Sequence, residues 1–477
     1  MADSIHYSLK KLSRYPLELA RHKKVASFLF SIVFAVFMAF LLSDESFTQT
    51  QNYVLFLLFF AICLWVTEAI PPFSVGIMII GFLVLIMGKS DAENAIKYLQ
   101  TWSDSVIWLF LGGFFLAEAM KKTALDIMLL KHLLPKFGKD PRYVLWGLMI
   151  STALMSMLMS NTATTAMMIA TVSPIFASLD KKANLSRALL LGIPAAASIG
   201  GMATIIGSAP NAIAVGALEN IGYSISFLEW TLVGTPIAFV LLYVFWKALI
   251  KRYRISEQGE LQFDFINTLP SNYTPEEKTQ KSIVLVILAI TLFCWLTSKW
   301  IGIPVAAASG IPIVGLTMLG ILDEDDVRKL PWDTLMLVAG GLALGLAIEE
   351  QNIASHFVEK ISHLNVSFFP LLILFGFMTM VFSNFMSNTA ATTILIPMAL
   401  SLLTMVGKDI NPIILPLVIG LSASCALFLP VSTPPNAIAF STGLIKQSEF
   451  RLGGTVVGLL GPALSIVWVY IVVMFFY

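Results

Sequence analysis

Two short polar runs carry the residues best suited to chemistry. Ser160-Asn161-Thr162 returns as Ser387-Asn388-Thr389, in the frames Met159-Ser-Asn-Thr-Ala-Thr-Thr and Met386-Ser-Asn-Thr-Ala-Ala-Thr-Thr. Ser, Asn and Thr offer neutral hydrogen-bond donors and acceptors, so the chemistry is recognition rather than bond cleavage. At the start of a helix they add to unpaired backbone N–H groups and to the positive end of the dipole, a combination that favours an anion. Two opposed tips of this kind would grip two carboxylates at once. A lone Ser-Asn-Thr in an apolar helix is usually local bonding or helix glue. A copy in each half of a membrane chain points to one shared binding site in a duplicated fold, the mark of a solute transporter.

A second pair accompanies the first. Gly207-Ser208-Ala209-Pro210-Asn211 and Ser432-Thr433-Pro434-Pro435-Asn436 each interrupt an apolar stretch. Proline removes a donor and disfavours helix just before it, which releases carbonyls at membrane depth. Freed carbonyls with an Asn oxygen would cage Na⁺, a hard cation that prefers oxygen; the alternative is a structural proline kink with a capping Asn. Lys and Arg all fall in loops or at span ends, so no fixed cation would neutralise a dianion at the midplane. That absence favours a solute carried in together with cations.

These residues must be positioned by helices in lipid. Of 477 residues, 57% are hydrophobic and 12% charged, against roughly 25% charged in soluble proteins. Apolar blocks of about 17–25 residues match a hydrocarbon core of about 30 Å. The expected class is an all-α polytopic membrane protein, with about 11 transmembrane helices plus two re-entrant helical hairpins. The net charge of +1 gives no reason to expect a nucleic-acid partner. Cys63, Cys294 and Cys425, odd in number and within apolar segments, read as fillers rather than a disulfide framework. The five His residues lack metal spacing, and no nucleophile-and-base set, phosphate loop or zinc motif is present, so an enzyme is not expected. The run Asp323-Glu324-Asp325-Asp326 reads as a solvated cytoplasmic turn.

The distribution of Lys and Arg sets the topology. With a cytoplasmic N-terminus and paired segments 142–178 and 367–406 folded as hairpins, only Lys89, Lys97, Lys299, Lys360 and Lys408 of 30 Lys and Arg lie outside. The C-terminus then lies outside. Trp65-Val66-Thr67 matches Trp295-Leu296-Thr297, Gly112-Gly113 matches Gly340-Gly341, and the Ser-Asn-Thr and Pro-Asn pairs follow, at offsets of 230, 228, 227 and 225. The reading is an inverted-topology repeat: residues 1–50 as an N-terminal segment and extra helix, 51–250 as repeat 1, 251–281 as a cytoplasmic linker, and 282–477 as repeat 2. Hairpin tips fall at 160–162 and 387–389, and helix breaks at 207–211 and 432–436. The two Gly-Gly pairs are expected to permit close helix packing.

Through Trp65-Val-Thr-Glu-Ala-Ile-Pro71, both Ser-Asn-Thr motifs and Thr433-Pro434-Pro435-Asn436, residues 50–477 resemble the divalent anion/sodium symporter family of INDY-type dicarboxylate transporters. The resemblance implies a homodimer; a multi-pass plasma membrane location is expected, and the compact loops point to a bacterial inner membrane. Each protomer would work as an elevator, with a scaffold and a moving transport domain. It implies Na⁺-coupled import of C4-dicarboxylates such as succinate, fumarate or malate, without organic cofactor. The same fold also serves sodium-independent exchangers and citrate or sulfate carriers. Substrate would bind at Ser160, Asn161, Thr162, Ser387, Asn388, Thr389, Thr433 and Pro434. One sodium site would use Ser156, Ser160, Asn161 and the Gly207 backbone. The other would use Ser383, Asn388 and the backbone of Met386 and Ser432. Ser208-Ala209 stands where the family commonly has Thr-Pro, and Ala203 where a Gly often precedes the Thr.

Overall fold

The computed structural model describes residues 2–43, 46–88, 92–178, 184–255, 273–353, 368–406 and 411–476. Expected features at Lys89, Lys360, Lys408 and linker residues 256–272 lie outside them. The described residues form helices and loops, with no strand among them. The first half holds α1 (Ala2–Leu42), α2 (Gln49–Thr67), α3 (Pro72–Met87), α4 (Ala92–Gln100), α5 (Ser105–Lys122) and α6 (Leu125–Leu133). It continues with α7 (Pro141–Ser156), α8 (Asn161–Ser178), α9 (Asn184–Gly201), α10 (Ala209–Asn220) and α11 (Phe227–Tyr253). The second half holds α12 (Pro275–Ile301), α13 (Val305–Met318), α14 (Glu324–Arg328), α15 (Trp332–Glu350) and α16 (Phe368–Ser383). It ends with α17 (Asn388–Val406), α18 (Ile414–Ala423), α19 (Pro434–Ser441) and α20 (Arg451–Phe476).

Among the described residues, seven helices are long and apolar enough to cross a membrane, the first counted from His22. Several other apolar segments are shorter, such as Pro72–Met87 and Val305–Met318. At 1.5 Å per residue, a 16-residue helix reaches only about 24 Å, short of a full hydrocarbon core. Local chemistry sets many of the ends. Thr48 with Gln51, Ser226 with Glu229, and Thr274 with Glu277 form capping boxes at α2, α11 and α12.

The repeated Trp motifs are structural. Trp65 Nε1 donates to Pro72 O (3.4 Å) and Trp295 Nε1 to Ser309 Oγ (3.2 Å), so each indole ties its helix to the next. The glycine pairs pack helices from opposite halves. α3 lies along α15, and α5 along α13. A Cβ at Gly340 would stand 2.2 Å from Gly76 Cα, and one at Gly112 would stand 2.8 Å from Ser309 Cβ. The equivalent glycines therefore meet equivalent partners, each across the repeat. Around this layer pack α7–α11 and α16–α20. They interlock: α10 lies on α17 and α18, while α19 lies on α8 and α9.

The acidic run is only partly solvated. Asp323 caps α14, whereas Asp326 is buried and paired with Lys122 at the end of α5. Lys122 also bonds Asp323 at 3.0 Å and holds its carboxyl down at about 2. The three cysteines are free.

Candidate functional site

Four interruptions of helix gather the candidate residues. The sequence places the tips at 160–162 and 387–389; the irregular backbone lies slightly earlier, at 157–160 and 384–387, and Asn161 and Asn388 are the first helical residues of α8 and α17. The later breaks are shifted as well. They cover 202–208 and 424–433 rather than 207–211 and 432–436. The prolines explain this. Pro210 and Pro434 sit in the first turn of α10 and α19, where a missing N–H costs nothing.

Each tip is capped by its own serine. Ser160 Oγ accepts from Ala163 N (3.1 Å) and Ser387 Oγ from Ala390 N (3.1 Å). Each capped turn retains further first-turn N–H groups without a helical partner. Ser160 and Thr162 are exposed, while Asn161, Ser387, Asn388 and Thr389 are half-buried, so all six are accessible to a ligand. Thr433 is buried and its hydroxyl accepts from Asn436 N (3.3 Å), whereas Pro434 is exposed.

In the first unit three of the four expected cation ligands, Ser156, Asn161 and the Gly207 carbonyl, meet, whereas the Ser160 hydroxyl turns to the Ala163 N–H. One terminal atom of the Asn161 amide stands 2.6 Å from Ser156 Oγ, 3.1 Å from Ala197 O and 3.2 Å from Gly207 O. Which amide atom faces them is decided by the bonding around it. The nitrogen donates to both carbonyls; the oxygen would complete a set of four oxygens suited to a small hard cation. Glycine makes this approach sterically feasible. A Cβ at Gly201 would fall 2.5 Å from the Asn161 amide and 2.8 Å from Gly207 O.

In the second unit, Ser383 Oγ and Asn388 Oδ1 are buried without hydrogen-bond partners. Buried oxygens are rarely left so, and an unsatisfied one costs about 1–3 kcal/mol. Ser432 reaches the hairpin through a residue absent from the expected set: its hydroxyl donates to Asn384 Oδ1 (2.8 Å). Ala197, Thr204 and Asn384 were missed. Thr204 Oγ1 donates to Met157 O and accepts from Gly207 N (3.1 Å). The available signal was an isolated polar residue beside a motif, at Thr204 and Asn384; for the Ala197 carbonyl there was none.

In the Pro-Asn pairs the amide nitrogens follow the capping alternative rather than the cation cage. Asn211 Nδ2 donates to Gly201 O (2.9 Å) and Thr204 O (2.7 Å), and Asn436 Nδ2 to Leu429 O (3.0 Å). These amides close the breaks by satisfying carbonyls that the sequence reading left free for a cation. Asn211 Oδ1 remains buried and unpartnered.

A neutral, oxygen-rich pair of helix breaks packed against a second layer of membrane helices describes a solute carrier. The chain matches the family model described as the sodium:sulfate symporter transmembrane region over residues 22–476, and it belongs to that family of membrane transporters. It is 30% identical over 463 residues to the sodium-dependent dicarboxylate transporter SdcS of Staphylococcus aureus (strain USA300), covering 88% of this chain and 85% of that protein. SdcS of Staphylococcus saprophyticus is 28% identical over 459 residues, 86% and 83% of the two chains. Among solved structures, Neisseria gonorrhoeae MtrF, assigned to a class of antimetabolite efflux pumps, matches with TM-score 0.54 and 14% identity over 85% of this chain and 95% of its own. At that identity the likeness concerns the fold.

Proposed function

We propose that this protein is a sodium-coupled symporter that imports C4-dicarboxylates such as succinate, fumarate and malate by an elevator mechanism. The observation that carries the reading is the convergence of Asn161, Ser156, Ala197 O and Gly207 O at one atom position beside a capped helix start. With sodium among these oxygens, the Asn161 amide presents its oxygen; without sodium, it turns and its nitrogen bonds the carbonyls. Ser383 Oγ and Asn388 Oδ1 serve the second ion, with the Met386 and Ser432 carbonyls. The substrate carboxylates lie against Ser160-Asn161-Thr162 and Ser387-Asn388-Thr389, bordered by Thr433 and Pro434.

Each carboxylate meets helix N-termini and neutral donors, so the co-bound Na⁺ ions balance its charge. α7–α8 and α16–α17 act as re-entrant hairpins from opposite faces, in repeats 51–250 and 282–477 of inverted topology, joined by the cytoplasmic linker 251–281. The layer of α2, α3, α5, α12, α13 and α15 is the scaffold of a homodimer. The interlocked α7–α11 and α16–α20 form the moving body. The N-terminus is cytoplasmic and the C-terminus outside, in the plasma membrane. The dicarboxylate relatives and the duplicated Asn tips support this reading.

The test is uptake of labelled succinate by proteoliposomes under an inward Na⁺ gradient, with choline as the control. Accumulation that requires Na⁺ and is lost in Asn161→Ala and Asn388→Ala is expected. Equal uptake in choline, driven by internal dicarboxylate, would make the protein an exchanger. No succinate uptake in either medium would overturn the substrate class and direct the search to citrate and sulfate.

A further inference from the structure

We propose that Asn384 is the positioning residue of the second sodium site, strapping the α16–α17 turn to the break that carries Ser432. This rests on the sodium-coupled reading above. Asn384 is 6% exposed, in a turn that follows an apolar helix. A polar amide buried there is costly unless its capacity is used. Asn384 uses it on both sides: Nδ2 donates to Met380 O (2.8 Å), and Oδ1 accepts from Phe428 N (2.9 Å) and from Ser432 Oγ (2.8 Å). One side chain thus fixes both ends of the stretch 428–432. Asn436 holds the same stretch from the other side through Leu429 O.

Residue 157, a methionine, is the equivalent at the repeat offset of 227. There the link runs the other way, from Thr204 in the break to the Met157 carbonyl. Both units therefore join hairpin turn to break with one side chain, taken from opposite partners. A strap made by side chain to side chain and backbone in the second unit makes the Ser432 carbonyl position depend on Asn384. Losing the strap loosens one ion position and leaves the Ser-Asn-Thr contacts to the carboxylates in place.

The experiment compares wild type, Asn384→Leu and Asn384→Asp in succinate uptake at varied Na⁺, and in thermal stabilisation of the purified protein by Na⁺ against choline. Asn384→Leu removes every bond at similar volume. It is expected to raise the Na⁺ half-saturation about tenfold, as for loss of one or two buried hydrogen bonds. Succinate half-saturation at saturating Na⁺ is expected to stay within about twofold, and the thermal shift by Na⁺ to shrink. Asn384→Asp keeps both acceptor bonds and is expected to fall closer to wild type. If Asn384→Leu does not fold, Asn384→Ser, too short to reach Phe428 N, carries the same expectation. A wild-type Na⁺ response in the Leu or Ser variant, or an equal loss of sodium and succinate affinity, overturns the role of Asn384. A wild-type protein indifferent to Na⁺ in both assays overturns the sodium-coupled reading instead.

Discussion

The two motif-bearing units share sequence and differ in how they are closed. In the first, close approach of backbone adds to the side-chain bonds of Thr204 and Asn211. Gly200 and Gly201, the last residues of α9, let that helix press on α7 and bring the Asn161 amide and the Gly207 carbonyl close, and a Cβ at Gly200 would stand 2.4 Å from Ala153 O. In the second, Asn384, Ser432, Thr433 and Asn436 tie the break to itself and to the hairpin, and the hairpin turn supplies one of these side chains. The first unit brings Ser156 Oγ, Ala197 O and Gly207 O within hydrogen-bonding distance of one Asn161 amide atom, whereas the second leaves Ser383 and Asn388 oxygens unpartnered. A duplicated motif therefore preserves the candidate ligand atoms, while each copy supports them with different contacts.

This contrast can be broken from the outside in. The largest effect is expected in the supporting layer. Gly340→Ala would put a methyl 2.2 Å from Gly76 Cα, backbone against which no side chain can yield. Loss of folded, monodisperse protein in detergent is expected, and a wild-type melting temperature would show that α3 and α15 separate freely. Next is Gly201→Ala, whose methyl meets the Asn161 amide and the Gly207 carbonyl. Overpacking of about 1–3 kcal/mol predicts folded protein with Na⁺-dependent uptake reduced roughly ten- to hundredfold. In the second unit Ser432→Ala, at the position equivalent to Gly207, removes one hydroxyl without a clash and should cost less.

Thr204→Val tests whether the two straps are equivalent. It removes the bond to Met157 O and the acceptor for Gly207 N. A rise of about tenfold in Na⁺ half-saturation is expected, comparable with loss of Asn384. A negligible change would mean that glycine packing alone holds the first unit.

The smallest effect belongs to the rim between the layers. Ser105 Oγ donates to Glu219 (2.6 Å) and Lys299 pairs with Glu229 (2.6 Å), joining α5 to α10 and α12 to α11. Lys299 and Glu229 are partly exposed, and such pairs contribute about 0–1 kcal/mol. Lys299→Met is expected to change the uptake rate less than about fivefold, with more effect at low than at high ionic strength. A larger, salt-independent change would reveal a contact that limits movement between the layers.

Much of this molecule is written locally. Apolar run length gives membrane helices, capping residues such as Ser226 and Thr274 give their starts, and the constant offset gives the duplication. The Ser-Asn-Thr and Pro-Asn runs mark where helix must fail, because proline and unpaired backbone have local consequences. Their exact registers were shifted by a few residues, since proline belongs in the first turn after a break and not at its centre.

Tertiary structure alone decided which groups face one another. Ala197 supplies only a carbonyl, and no property of its side chain distinguishes it from other alanines. Asn384 looked like one more polar residue until the break folded over it. The Pro-Asn amides proved to be closers of loops because their nitrogens found carbonyls seven to ten positions earlier in the chain. Periodicity and composition are properties of neighbours in sequence. A ligand set is a property of neighbours in space, fixed here by where glycine allows backbones to touch and where irregular backbone leaves its oxygens.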